Sequence, residues 1–281
     1  MFAEYKNMLR KMRGTIIGWS IGLLLYDWMM SSFYSSIGEL ADEFMLMLEN
    51  YPKELIAFFP SIEEFGSPIG YIDTYFSSYM TLIIGIFAIG ACAKLIVTDE
   101  ENGILDMLIS YPISRTKFLL GRFLAFVTAT VLILLGSWLG WVIPAKNAGF
   151  DLSAWDFLMM MIPLFGVLIL FGTLAFLLSL VLPAARLSSG LTGALMVGNF
   201  LLIGMSSLNE DLLPVYEVTP LYFYQGAKFI EDPNWGWLAG MLAVAMGLLV
   251  VSWAIFQRRD IRVGGEAGWQ FSLPRSNRKK K

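Results

Sequence analysis

The sequence predicts an all-α integral membrane protein with six transmembrane helices. It adds an N-terminal amphipathic interfacial helix and a cytoplasmic helix between spans 2 and 3. Three observations carry this. Of 281 residues, 57% are hydrophobic and 15% charged, with a mean hydropathy of +0.63. No soluble domain covers that much apolar surface, so lipid is part of the solvent. Six apolar runs each reach about 20 residues, enough to cross about 30 Å of hydrocarbon. They lie near 14–36, 74–97, 118–143, 157–182, 188–208 and 235–256. Finally, basic residues alternate between loops in the way that sets membrane orientation.

At the N-terminus, Phe2, Tyr5, Met8, Leu9 and Met12 recur at helical spacing among Lys6, Arg10, Lys11 and Arg13. This is the pattern of a basic helix lying on a membrane surface. The run that follows contains Asp27 and lacks a small-x-small cleavage site, so it reads as an uncleaved span. Spans 4 and 5 are parted only by Pro183–Leu187, a tight hairpin in which Pro183 and Arg186 stop the helix. With the N-terminus taken as cytoplasmic, only Lys53, Lys146 and Lys228 of the 20 basic residues fall outside. Both termini are then expected in the cytoplasm. Nine tryptophans suit anchoring at the interfaces.

The first outer loop, 37–73, carries two short amphipathic segments, Leu40–Leu48 and Lys53–Phe59. It reads either as functional or as a cap on the outer leaflet. The third outer loop, with Pro214, Pro220 and four aromatics, reads as re-entrant or interfacial. The chain forms a single domain over 1–260, followed by a basic tail over 261–281 that is attracted to anionic lipid.

One polar stretch, Thr98–Lys117, holds more local pattern than a connection needs. Thr98 and Glu101 make a capping-box spacing, with Asp99, Glu100 and Glu101 in the first turn, where the helix dipole favours negative charge. Ile104, Leu105, Leu108 and Ile109 form one apolar face, and Asp106 lies off it. Gly103 falls inside the expected helix, which suggests a close backbone approach or a bend. Pro112 ends the helix, and Ser114 can cap the next span, whose first turns carry Arg115, Lys117 and Arg122. An interfacial helix resting on lipid is one reading. A protein partner better explains three acidic residues facing an anionic leaflet.

The residues Glu101-Asn-Gly-Ile-Leu-Asp-Met-Leu-Ile-Ser-Tyr-Pro-Ile-Ser-Arg115 resemble the signature of ABC-2 type transporter permeases. That signature has an acidic pair before Gly, then Leu-acid-x-Leu-Leu and Pro-x-Ser-Arg. The six spans and the Phe256-Gln-Arg-Arg-Asp260 ending extend the resemblance over nearly the whole chain. Ile104 stands where Thr or Ser is usual, and Asn102 where a charge is usual. The resemblance implies that this loop docks on a separate ABC ATP-binding subunit. The docking residues would be Glu100, Glu101, Gly103, Leu105, Asp106, Leu108, Pro112, Ser114 and Arg115. It also implies a second permease, as homodimer or heterodimer, and export, in the cell membrane of a prokaryote. ATP and Mg would be bound by the partner.

Three other features bear on function. Asp27 costs about 2.5–3.5 kcal/mol to insert if ionised, so it faces protein or water. It either lines the path and binds a cationic or polar group, or sits near the outer headgroups or bonds to Tyr26 or Ser31. Gly190, Ala194 and Gly198 form a small-residue row that suits the subunit interface, the path wall or packing within one subunit. No phosphate loop, catalytic constellation, cofactor site or metal ligand set is present, and histidine is absent. Nothing suggests nucleic acid as a partner. An ion-coupled secondary transporter acting without an ATPase is the alternative class, but it needs titratable groups in the membrane, of which there is one Asp.

Overall fold

The computed structural model describes residues 1–38, 51–52, 56–58, 61–103, 114–182 and 184–258. The two outer-loop segments 40–48 and 53–59 are largely outside these residues, as are Pro183 and the tail 261–281. Six long apolar helices cross the molecule: α1 (Phe2–Gly38), α2 (Pro68–Ala93), α4 (Arg115–Ala145), α5 (Ala154–Val181), α6 (Ala185–Leu208) and α8 (Trp235–Arg258). Two short helices, α3 (Val97–Glu101) and α7 (Leu213–Tyr216), lie between them. Among the described residues there is no strand.

The basic N-terminal segment, expected as a separate interfacial helix, is instead the first three turns of α1. The helix runs unbroken for 37 residues, about 55 Å. No proline interrupts it, and Gly14 is a minor cost beside the contacts that hold the first turns. Tyr5 hydroxyl meets Thr128 hydroxyl at 3.2 Å on α4. The second span also starts earlier than expected, at Pro68. Ser67 caps it by accepting from the Gly70 amide at 3.0 Å, and proline suits the first helical position.

α5 is the centre. Buried residues make up 72% of its most apolar window, against 22% for α1 and for α6. It is apolar on every face, as an enclosed helix must be, and it packs on α2, α4, α6 and α8. α1 packs chiefly on α4. The two run parallel, and a Gly136-x-x-x-Gly140 pair on α4 lets the backbones meet. A Cβ on Gly136 would stand 2.9 Å from Ser20 Cα, and one on Gly140 would stand 2.6 Å from the Leu24 carbonyl oxygen. Such contact favours association where lipid removes the hydrophobic drive between helices.

At the end of the bundle away from the 98–117 loop, α2 contains one π-turn, Asp73–Ser77. Its extra residue aims Asp73 at two partners. The carboxylate accepts from Ser61 hydroxyl at 2.6 Å and from the Ala227 amide at 3.1 Å. Burial, with Asp73 nearby, pushes the Tyr224 hydroxyl up from its ordinary range, and burial beside Tyr222 takes Tyr216 to about 12. Asp73→Ala should orphan both donors at a cost of about 1–3 kcal/mol. The expected readout is faster hydrogen exchange at the Ala227 amide; unchanged exchange would mean the contact holds nothing.

Candidate functional site

The loop 98–117 begins where α2 ends. The chain leaves α2 through Lys94–Ile96 in helical rather than extended conformation, so Ile96, not Thr98, precedes α3. The expected capping box is therefore not formed: Thr98 lies inside α3, and no side chain caps it. Gly103 is likewise not inside a helix. α3 closes at Glu101, the Gly103 amide donates to Glu100 carbonyl at 3.0 Å, and Gly103 takes φ +68°. That left-handed conformation stops helices and suits glycine. Leu105, Asp106, Leu108 and Pro112 lie outside the described residues.

The acidic residues that suggested an external partner are engaged within the chain. Asp99 is buried and sits 2.5 Å from the Arg122 guanidinium on α4, with Lys11 of α1 at 3.3 Å. Arg122 also approaches Glu4 of α1 at 3.3 Å and donates to Leu95 carbonyl at 2.6 Å. Its plane lies 4.0 Å over the Phe118 ring. The Arg122 side chain is 2% exposed, so this charge is held by its partners rather than by water. Glu100 is buried in α3. Glu101 reaches the first turn of α6, accepting from the Ala185 amide at 3.1 Å, where the helix dipole favours a carboxylate.

The other flank of the loop is tied as firmly. Ser114 caps α4, its hydroxyl accepting from the Lys117 amide at 3.4 Å, as its position in the sequence predicts. Arg115 donates to the carbonyls of Phe256 and Gln257, both at 3.2 Å, at the last turn of α8. A cation suits those unpaired carbonyls. The two ends of the loop thus meet α1, α4, α6 and α8.

The remaining candidates fall elsewhere. Asp27 is fully buried between α1 and α4 and accepts a short hydrogen bond from Ser137, rather than bonding Tyr26 or Ser31. Ser31 instead donates to Trp141 carbonyl at 3.1 Å. Gly190, Ala194 and Gly198 share an exposed face of α6, and a Cβ on either glycine would meet nothing within 4 Å. Packing within the described chain therefore does not explain that row. Sequence reasoning missed Arg122, Glu4 and Lys11 as a set. The signal was present: an arginine two turns into an apolar helix asks for partners as an intramembrane Asp does.

These features define a multi-pass helical membrane protein in which both ends of the polar 98–117 connection are wired into the spans. A family model described as ABC-2 family transporter protein matches residues 4–261. The chain belongs to that family and is the membrane permease component of an ABC transporter. Among curated proteins no significant match was found.

Proposed function

We propose that this chain is the permease subunit of an ATP-driven exporter whose 98–117 loop docks on a separate ATP-binding subunit. The observation that carries the reading is the wiring of the loop's two ends: Asp99 to α1 and α4, Glu101 to α6, Arg115 to α8. A push delivered to the loop's two ends would reach α1, α4, α6 and α8 through these contacts. In this reading the loop and both termini are cytoplasmic, and the partner binds ATP and Mg. A second permease completes the path, its contact drawn from the uncovered Gly190–Gly198 face of α6.

The test is reconstitution with the cognate ATPase. The Glu101→Lys plus Arg115→Glu variant should still bind membranes but lose transport-linked ATP hydrolysis. Normal coupled hydrolysis in that variant would remove the docking assignment. Gradient-driven transport by the chain alone would replace it with the ion-coupled alternative.

A further inference from the structure

The halves of α1 relate to α2 in opposite ways. Far from the loop they are fastened: Tyr26 hydroxyl donates to Tyr75 carbonyl and Tyr71 hydroxyl to Met30 carbonyl, both at 2.7 Å. Towards the loop they part. A cavity of about 470 Å³ lies between them from Met8 to Trp19. A second, of about 570 Å³, continues from Thr15 to Tyr26 against Met80 and Ile83. Thr15 and Trp19 border both, so the two follow one another along α1 as a groove with Trp19, 6.3 Å from the Phe87 ring, midway. From Lys11 to Tyr26 the helical rise is about 22 Å. That exceeds one leaflet's share of the about 30 Å of hydrocarbon.

The groove is polarised along its length. Its deep part is lined by apolar and small residues, with Gly18 and Gly22 on the α1 wall, where an added Cβ meets nothing within 4 Å. Charge appears only at the loop end, where Lys11, Lys94, Arg122 and Asp99 line the cavity and Glu4, behind Arg122, is the second carboxylate against three cations. Asp99 is already engaged by Lys11 and Arg122. Lys94 is exposed and makes no ion pair among the described residues. The mouth thus keeps positive charge beside a long apolar slot.

We propose that this groove binds an anionic amphiphile of the adjoining leaflet. Its apolar chain lies along the glycine wall of α1, and its headgroup rests on Lys94 and Lys11. That such an amphiphile is also the class of cargo rests on the permease reading above; the binding site itself does not.

The experiment uses the full chain, without an ATPase, in phosphatidylcholine nanodiscs. These carry a trace of phosphatidylglycerol or phosphatidylcholine bearing a photoactivatable group in the acyl chain. The phosphatidylglycerol probe should label the facing segments of α1 and α2 in preference to the zwitterionic one. Lys94→Gln should lower that labelling about fivefold, the loss expected for one cation near an anionic headgroup. Gly18→Phe with Gly22→Phe should abolish it at unchanged helicity. Should that variant misfold, Lys94→Gln alone decides, since it disturbs no described contact. Equal labelling by both probes, or labelling indifferent to Lys94→Gln, would overturn the proposal. So would a disulfide between two copies carrying Gly18→Cys that seals the groove against the probe. Failure of ATPase coupling would fall on the permease reading and leave this result standing.

Discussion

Arg122→Met will cost about 3–5 kcal/mol of stability, the loss typical when one partner of a buried ion pair is removed. The substitution takes the guanidinium away from the Phe118 ring, strands Glu4 beside a thioether and leaves Asp99 with Lys11 alone, each carboxylate side chain being 10% exposed. It also frees the Leu95 carbonyl. Because the site is buried, added salt should not rescue it. Asp99→Asn in the same background should recover part of the loss, since it removes a buried charge that only the half-exposed Lys11 still pairs; a double-mutant cycle of the four proteins in detergent measures the coupling. A loss under about 1 kcal/mol, the level of an exposed pair, would show that water reaches the cluster. If the loop transmits force, Arg122→Lys should fold yet lower coupled ATP hydrolysis, because an ammonium cannot bridge two carboxylates and a carbonyl as the guanidinium fork does.

The second large effect is expected from Gly140→Leu. Its Cβ alone would stand 2.6 Å from the Leu24 carbonyl oxygen and 2.8 Å from Asp27 Cβ, and these are backbone and short side-chain atoms with little room to yield. α1 must move outward, which breaks the Ser137–Asp27 hydrogen bond and leaves a buried carboxylate without its donor. Overpacking costs about 1–3 kcal/mol, and the orphaned carboxylate adds to it. Gly190→Leu is the control. With nothing within 4 Å of its Cβ, it should leave unfolding of the single chain unchanged and weaken only self-association. Thermal unfolding and inter-copy crosslinking of both variants check the pair. Equal effects on unfolding would mean that the row on α6 is covered within the chain.

The six spans were legible because lipid imposes length and apolarity on any segment that crosses it, and the break between α5 and α6 because Pro183 stands between two apolar runs; Arg186, expected to share in the break, lies inside α6. Local punctuation was legible where one residue decides: Ser114 caps α4 as expected. It misled where the preceding chain decides. Thr98 has the right neighbours for a cap, but the turn out of α2 is already helical and leaves it nothing to cap. Gly103 looks like a flaw within a helix and is the residue that ends one. The three acidic residues illustrate a further limit. Sequence shows their charge but not that Arg122, 23 positions beyond Asp99, and Glu4, 118 positions before Arg122, converge on one point. The close approach inside the chain falls on a pair the sequence did not single out, Gly136 and Gly140, while the α6 row, left open between subunit interface, path wall and internal packing, faces outward.

The unbroken α1 has a mechanical meaning. Fastened to α2 near Tyr26 and Met30, and bonded along α4, it is a lever whose fulcrum lies beyond mid-length. The arm from that fulcrum to Lys11 is about 22 Å, so a tilt of about 5° shifts the basic end by about 2 Å. That is comparable to the whole reach of an ion pair. A tilt too small to disturb the tyrosines would therefore be enough to make or break the Lys11–Asp99 contact, so the wired end of the loop registers the angle of the helix.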